Sequence, residues 1–309
     1  MIMTENQYDL MIAGTGPAGL TAAIYGQRLG MKVVVFGDTP GGNLYMIETL
    51  MNYPGFAGGI PGTQFGVAAY RQAQEEGAVF PMTLLEKLSH TDNRFVGIDR
   101  NASEYFAPVA IVASGRKPKA LEVPNADKTG IHTCSTCDGP LFRDKNATLA
   151  VIGGDNIAGR HSLTLSKIAD RVILIHEGDR LKIETVIQKE IESKDNIDVF
   201  LNMKVVGFTG LDSIDGITVS TEKEEKKEMP VDGVFTAFGW HPNIEMLKIP
   251  VEATSEGYIK TDEKLMTSFP GLFAAGDVRD TDMWQVITAC ADGARAAKYA
   301  SEYLEGMST

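Results

Sequence analysis

Leu10-Met11-Ile12-Ala13-Gly14-Thr15-Gly16-Pro17-Ala18-Gly19 is the stretch from which the rest of this chain is read. A short, mostly apolar run from Tyr8 to Ala13 leads into three glycines at G-x-G-x-x-G spacing. A helix-forming segment follows, to about Leu29. Lys32-Val33-Val34-Val35-Phe36 is a second, β-branched strand that ends at Gly37-Asp38. The glycine spacing alone is a weak signal. Between a strand and a helix, with an acid about 20 residues on, it is the dinucleotide-binding fingerprint in its expected context. The first glycine allows the tight turn, the second lets backbone approach a pyrophosphate, and the third lets helix pack on strand. The helix N-terminus then offers its free amides to the phosphates.

The pattern recurs. Ala147-Thr148-Leu149-Ala150-Val151-Ile152 reads as a strand, Gly153-Gly154-Asp155-Asn156-Ile157-Ala158 as a turn and Gly159 to Ala169 as a helix. Arg171 to His176 reads as the next strand. Two such units in 309 residues predict about two domains built by duplicating a doubly wound α/β unit. Near the C-terminus, Phe269 to Asp277 reads as strand-to-turn, followed by a helix from about Trp284 to Glu305. The run Glu222 to Glu228, four Glu and three Lys, reads as a solvated hairpin tip.

With 29 Lys+Arg against 41 Asp+Glu the net charge is −12, which argues against nucleic acid or an anionic membrane as the main partner. The uncharged run Leu10 to Gln27 holds 18 residues, with four Gly and Pro17 among them, and a bilayer span wants about 20 apolar ones. No Lys or Arg precedes Arg28, so a basic leader is not expected, and the reading is a soluble, cytoplasmic protein. Three cysteines exclude a disulfide-rich scaffold. Cys134 and Cys137 form a C-x-x-C pair, either redox-active or half of a zinc site, and zinc would need two further ligands without a second C-x-x-C. The first turn of a helix lowers a thiol pKa, and Asp138, next to Cys137, is placed to hand a proton to a departing thiolate. Cys290, in an Ala-rich helix, reads as a small core residue.

Seven segments in order carry a family likeness. They are Gly14-x-Gly16-x-x-Gly19, Gly41-Gly42-Asn43-Leu44, Asn52-Tyr53-Pro54-Gly55, Ala113-Ser114-Gly115, Cys134-Ser135-Thr136-Cys137-Asp138-Gly139, Phe238-Gly239-x-x-Pro242-Asn243, and Gly276-Asp277-Val278 followed by Gln285. Over nearly its whole length the chain resembles the low-molecular-weight thioredoxin reductases. The resemblance implies an α/β protein of two Rossmann-like three-layer ββα/αβ domains. A discontinuous FAD domain, residues 1–116 and 247–309, would surround an inserted NAD(P)-like domain, residues 117–246, that carries the C-x-x-C. It also implies a homodimer that reduces thioredoxin or a similar small disulfide protein, with no metal. On this likeness the FAD pyrophosphate lies on Gly14, Thr15, Gly16, Pro17, Ala18 and Gly19, with Gly37 and Asp38 near the adenosine ribose. Gly41, Gly42, Asn43, Leu44 and Asn52 line the isoalloxazine side, and Ala113, Ser114 and Gly115 join the cofactor set. Gly276 and Asp277 meet the ribityl chain, and Gln285 and Val286 touch the flavin. Cys137 would face the flavin, Cys134 attack the protein substrate and Asp138 give the proton.

The second nucleotide motif departs from the family. NADPH-dependent members carry G-x-G-x-x-A and then H-R-R-x-x-x-R. Here Asp155 replaces the second glycine, and the later motif reads His176-Glu177-Gly178-Asp179-Arg180-Leu181-Lys182. Both arginines that would grip a 2′-phosphate are gone, and a lysine does not reproduce the bidentate fork. NADPH is therefore not the expected reductant. The likeness narrows to the pyridine-nucleotide-independent branch, which takes electrons from ferredoxin or a deazaflavin. NADH, which lacks the 2′-phosphate, is an alternative, as is a shifted phosphate site made by Arg160, Arg180 and Lys182. A flavin oxidase and a flavin-bearing redox sensor are further alternatives. Trp284 stands where NADPH-dependent members usually have Arg, either to cover the ring system or as a core or interface residue. An acidic ferredoxin would need a local basic patch, for which Arg116, Lys117, Lys119, Arg143, Lys145 and Arg160 are candidates.

Overall fold

The computed structural model describes residues 6–119, 122–221 and 223–307. The chain divides into two compact units, one of residues 1–117 and 241–309, the other Pro118–Trp240. Residues 241–246, expected with the inserted domain, go with the first unit. The Asn243 amide donates to the Gly115 carbonyl at 3.0 Å, the Ser114 hydroxyl to the Asn243 carbonyl at 2.5 Å, and Lys117 pairs with Glu245 at 2.6 Å.

In the first unit four parallel strands lie in the order Leu272–Ala274, Val109–Val112, Leu10–Ala13, Val33–Phe36. Every residue of these strands is buried, as expected of a parallel sheet covered on both faces. Strand alternation sorts them. Leu10, Ile12, Val33, Val35, Val109, Ile111 and Phe273 join the core that includes Leu20, Ala22 and Ala23 of helix Pro17–Arg28 and Ala296, Ala297 and Ala300 of helix Val286–Met307. Met11, Ala13, Val34, Phe36, Ala110, Val112 and Leu272 face a three-stranded antiparallel sheet, Leu85–Thr91, Arg94–Asp99 and Glu104–Ala107, through Leu88, Phe95 and Tyr105. Three layers result, helix, parallel sheet and antiparallel sheet.

The second unit repeats the plan. Five parallel strands run in the order Ile197–Phe200, Arg171–Ile175, Thr148–Gly153, Gly233–Ala237, Ile131–His132. Leu149, Val151, Val172 and Leu174 pack toward helices Asn156–Leu165 and Thr185–Glu192. Ala150, Ile152, Ile173 and Ile175 pack toward an antiparallel sheet of Met203–Thr209, Gly216–Thr221 and Lys226–Pro230. Of the charged run read as a hairpin tip, residues 223–225 lie in the turn between the last two strands, Lys226 to Glu228 already belong to the second of them, and Glu222 lies outside the described residues. Helix Asn156–Leu165 starts three residues before Gly159, because Asp155 caps it. No helix among the described residues is long and apolar enough to cross a membrane.

Candidate functional site

The carboxyl ends of all four parallel strands in the first unit deliver predicted site residues, the edge at which open α/β sheets bind ligands. Gly14 follows Ala13, Gly37 follows Phe36, Ala113 follows Val112, and Gly276 lies one residue beyond Ala275. Gly14 has φ +125°, and a Cβ there would lie 2.2 Å from the Ala113 carbonyl oxygen. A Cβ on Gly19 would lie 1.9 Å from the Gly14 carbonyl oxygen. Around Gly16 nothing lies within 4 Å of such an atom, so backbone borders open space there. Gly16 also caps helix Pro17–Arg28 without any side-chain bond. The Ala18 and Gly19 amides of its first turn are left for an outside acceptor, while the Leu20 amide donates to the Gly16 carbonyl at 2.9 Å.

The other expected residues assemble around this turn. The Thr15 hydroxyl donates to the Thr39 carbonyl at 2.8 Å, and Gly41 donates its amide to the Thr15 carbonyl at 2.9 Å. Gly42 sits against Gly16. Asp38 is exposed and pairs with Arg100 at 3.5 Å. The Asn43 side-chain amide donates to the Arg116 carbonyl at 2.8 Å, and that of Asn52 to Gln285 Oε1 at 2.8 Å, while Leu44 is buried. Asp277 lies 3.1 Å from Arg116 Nε. Burial pushes its carboxyl above the usual carboxylate range while Arg116 pulls the other way. The Arg116 guanidinium also lies 4.9 Å from the Trp284 ring, which has Tyr258 at 5.6 Å on centroids. Trp284 is thus exposed, with Arg116 and Tyr258 against its ring, and is not a core residue. Cys290 is half-buried beside Tyr53, whose hydroxyl is pushed up to about 12 first by burial and then by that thiol. Cys290 is therefore not the core residue that its Ala-rich helix suggests. Arg116 and Lys117 are both engaged in ion pairs, which weakens their claim to a docking patch.

In the second unit Cys134 and Cys137 are joined by a disulfide, with Cα atoms 5.4 Å apart. Cys134 caps the short helix Ser135–Asp138, its sulfur accepting the Cys137 amide at 3.1 Å. Cys134 is buried and Cys137 exposed. Asp138 Oδ2 lies 2.9 Å from His132 Nδ1. Ser135 Oγ lies 2.6 Å from Nδ1 of buried His161, whose Nε2 meets no partner among the described residues. The two histidines escaped the sequence reading, since only folding brings each to its partner.

Burial lowers the His161 imidazole to about 4 from 6.5. The folded protein therefore keeps it neutral while the unfolded chain takes up a proton. Stability is unaffected by this group above pH 6.5 and falls as pH drops toward about 4, where the loss reaches about 3 kcal/mol. Chemical denaturation across that window is expected to show the wild type losing that much more stability than His161→Gln. Parallel losses would refute it.

The second fingerprint is built differently from the first. Asp155 Oδ1 accepts the amides of Ile157 at 3.0 Å and Ala158 at 3.1 Å, so a carboxylate of the chain itself sits on the helix N-terminus. The Lys182 amide donates to the Gly154 carbonyl at 2.7 Å, drawing the downstream loop onto the turn. The His176 ring fills the space over both nearby glycines. A Cβ on Gly154 would lie 2.3 Å from it, and one on Gly178 2.7 Å. Glu177 is exposed. Arg180 and Lys182 line a groove with Gln188, Ile191 and Val199.

One open anion cradle, one self-capped fingerprint and one disulfide beside a carboxylate define a flavoprotein-type disulfide oxidoreductase of two Rossmann-like units. The chain belongs to the pyridine nucleotide-disulphide oxidoreductase family, whose model matches residues 8–293, and its relatives there are thioredoxin reductases of the low-molecular-weight type. It is 35% identical to the thioredoxin reductase of Treponema pallidum over 98% of this chain and 99% of that one. It is 34% identical to a 34.2 kDa protein in the rubredoxin operon of Clostridium pasteurianum, over 98% and 99%. The crystal structure of Lactococcus lactis thioredoxin reductase matches with a TM-score of 0.91 at 29% identity, over 97% and 99%. The chain is thus a thioredoxin-reductase-like disulfide oxidoreductase. The family implies FAD, and the open, uncapped helix N-terminus at Gly16 fits a dinucleotide pyrophosphate.

Proposed function

We propose that this enzyme takes electrons from a donor other than NADPH, an iron–sulfur protein of the ferredoxin type, and passes them through the Cys134–Cys137 disulfide to thioredoxin or a similar small disulfide protein. The observation that carries the donor reading is the Asp155 carboxylate on the amides of Ile157 and Ala158. Those amides are the groups a nicotinamide dinucleotide would need for its pyrophosphate. A phosphate brought to about 4 Å from that carboxylate would be repelled by about 4 kcal/mol at an effective dielectric of 20, roughly a thousandfold in affinity. His176 over the turn and Glu177 in place of an arginine act in the same direction. The relative named for a rubredoxin operon supports an iron protein as donor. Lys119, Arg143, Lys145 and Arg160 carry the positive charge that an acidic carrier would meet. A homodimer working in the cytoplasm belongs to the same reading, supported by the full-length likeness to thioredoxin reductases.

Gly14, Thr15, Gly16, Pro17, Ala18 and Gly19 would hold the FAD pyrophosphate, with Gly37 and Asp38 at the adenosine ribose. Gly41, Gly42, Asn43, Leu44, Asn52, Ala113, Ser114, Gly115, Gly276, Asp277, Trp284, Gln285 and Val286 would surround the rest. Bound FAD supplies the electron pair that opens the disulfide. Cys134, buried in the disulfide form, must be uncovered before its thiolate attacks a protein disulfide. Cys137 then displaces the substrate from the mixed disulfide, and Asp138 exchanges the proton.

Anaerobic bleaching of the FAD-loaded enzyme tests the donor, with NADPH, NADH, reduced deazaflavin and photoreduced ferredoxin in parallel. Ferredoxin and deazaflavin are expected to bleach it rapidly. NADPH, bound about a thousandfold more weakly than at an unblocked site, is expected to act at millimolar concentration at best. Rapid bleaching by micromolar NADPH would overturn the reading.

A further inference from the structure

Asp138 does not stand alone. Its carboxylate meets His132 at 2.9 Å, and His132 ends a short strand paired in parallel with Val234 and Phe235. The imidazole stacks on Phe235, with centroids 5.0 Å apart and planes 24° apart, and Phe142 meets it edge-on at 5.6 Å. Its backbone carbonyl accepts the Thr236 hydroxyl at 3.3 Å. Two aromatic rings and a strand therefore hold one ring nitrogen against the carboxylate, with 15% of the imidazole side chain and 38% of the Asp138 side chain exposed. Strand Gly233–Ala237 and turn Gly139–Phe142, which pack against the ring, carry no ionisable residue. Helix Ser135–Asp138 carries none besides Asp138 and the disulfide-bonded Cys137.

A carboxyl group in water is protonated in roughly one molecule in a thousand at pH 7, an imidazole in about one in four. We infer that His132 is the proton reservoir of disulfide exchange, a positioning residue that orients Asp138 and reloads it with a proton. This rests on the reading of Asp138 as the acid. In the exchange, the Cys134 thiolate forms a bond to one substrate sulfur, and the substrate S–S bond breaks with its electron pair on the other. That leaving sulfur takes the proton from the His132–Asp138 pair. Cys137 returns a proton to the pair as its sulfur bonds to Cys134, and the second substrate sulfur departs as thiolate. The pair ends as it began, the enzyme is oxidised to the disulfide, and the substrate is reduced to one thiol and one thiolate.

The test is the single-turnover reoxidation of dithionite-reduced, FAD-loaded enzyme by thioredoxin disulfide, followed from about pH 5 to pH 9. The wild type should give a bell-shaped profile, since the thiolate fraction rises with pH while the protonated pair is lost. His132→Asn keeps a nitrogen that can donate to Asp138 but has no titrating proton. It is expected to lower the maximum about tenfold and to move the optimum at least one unit to acid. A His132→Asn profile superimposing on the wild type, or a wild-type profile without an alkaline limb, overturns the inference. His132→Gln is read in its place should the asparagine variant fail to retain FAD. Asp138→Asn separates the two levels. If that variant reacts at the wild-type rate, the reading of Asp138 itself fails. If it is slow while His132→Asn behaves as wild type, only the role of His132 fails.

Discussion

Cys137→Ser is expected to abolish reduction of thioredoxin disulfide, by at least about a thousandfold, because a lone thiol cannot close the disulfide that completes exchange. The same variant should leave Cys134 able to attack, so a stable mixed disulfide with the protein substrate is expected to accumulate. It would be visible by mass spectrometry and reversed by dithiothreitol. The two readouts discriminate among activities. An enzyme that chiefly delivers electrons to oxygen or to a small acceptor would keep its turnover in Cys137→Ser. A redox sensor would show no sustained turnover even as wild type. Persistence of thioredoxin reduction in the variant would remove the dithiol from the mechanism, and capture of substrate by Cys134→Ser instead would exchange the roles of the two sulfurs.

Asp155→Gly is expected to raise NADPH affinity by up to about a thousandfold, the effect of removing a like charge about 4 Å from a phosphate. Replacing an Asp cap by Gly costs a helix only a few tenths of a kcal/mol, so the fold should tolerate the change. Adding Glu177→Arg should increase the gain for NADPH over NADH, since only the former presents a 2′-phosphate to a guanidinium. Gly178→Arg is the poorer choice, because a Cβ at that position already lies 2.7 Å from the His176 ring. Titration by protein fluorescence and by bleaching with NADPH would follow the gain. Unchanged affinity in Asp155→Gly would show that the capping carboxylate is not what keeps nucleotide out.

The fold was legible wherever a short apolar run met a glycine turn. Leu10–Ala13 and Thr148–Gly153 are buried central strands, and both fingerprints sit at their carboxyl ends. The sequence pattern starts helix Asn156–Leu165 at Gly159, three residues late, because Asp155 reads there as a flaw in a fingerprint and not as the N-cap it forms. Both readings describe the same carboxylate, and only the folded chain shows that it accepts the Ile157 and Ala158 amides. The domain boundary shifted from 246 to 240 because residues 241–246 bond to Ser114, Gly115 and Lys117, partners about 130 residues away along the chain. His161 is hidden for the same reason, whereas His132 lies six residues from Asp138 and only the folded strand end shows its ring on that carboxylate. Ser135 and His161 stand 26 positions apart, and no local pattern announces their contact.

The two halves of this duplicated fold differ in whether they are complete without a guest. At Gly16 the helix start awaits an anion from outside, whereas at Asp155 the chain has folded one in. Ligand linkage follows from that contrast, since a molecule stabilises only the state that leaves its place open. The thermal stability of the first unit is therefore tied to the supply of flavin in the cell. On the proposed reading, in which Asp155 keeps nicotinamide nucleotides out, the stability of the second unit would not follow the nucleotide pool. One half of the duplication would then serve chiefly to carry a disulfide.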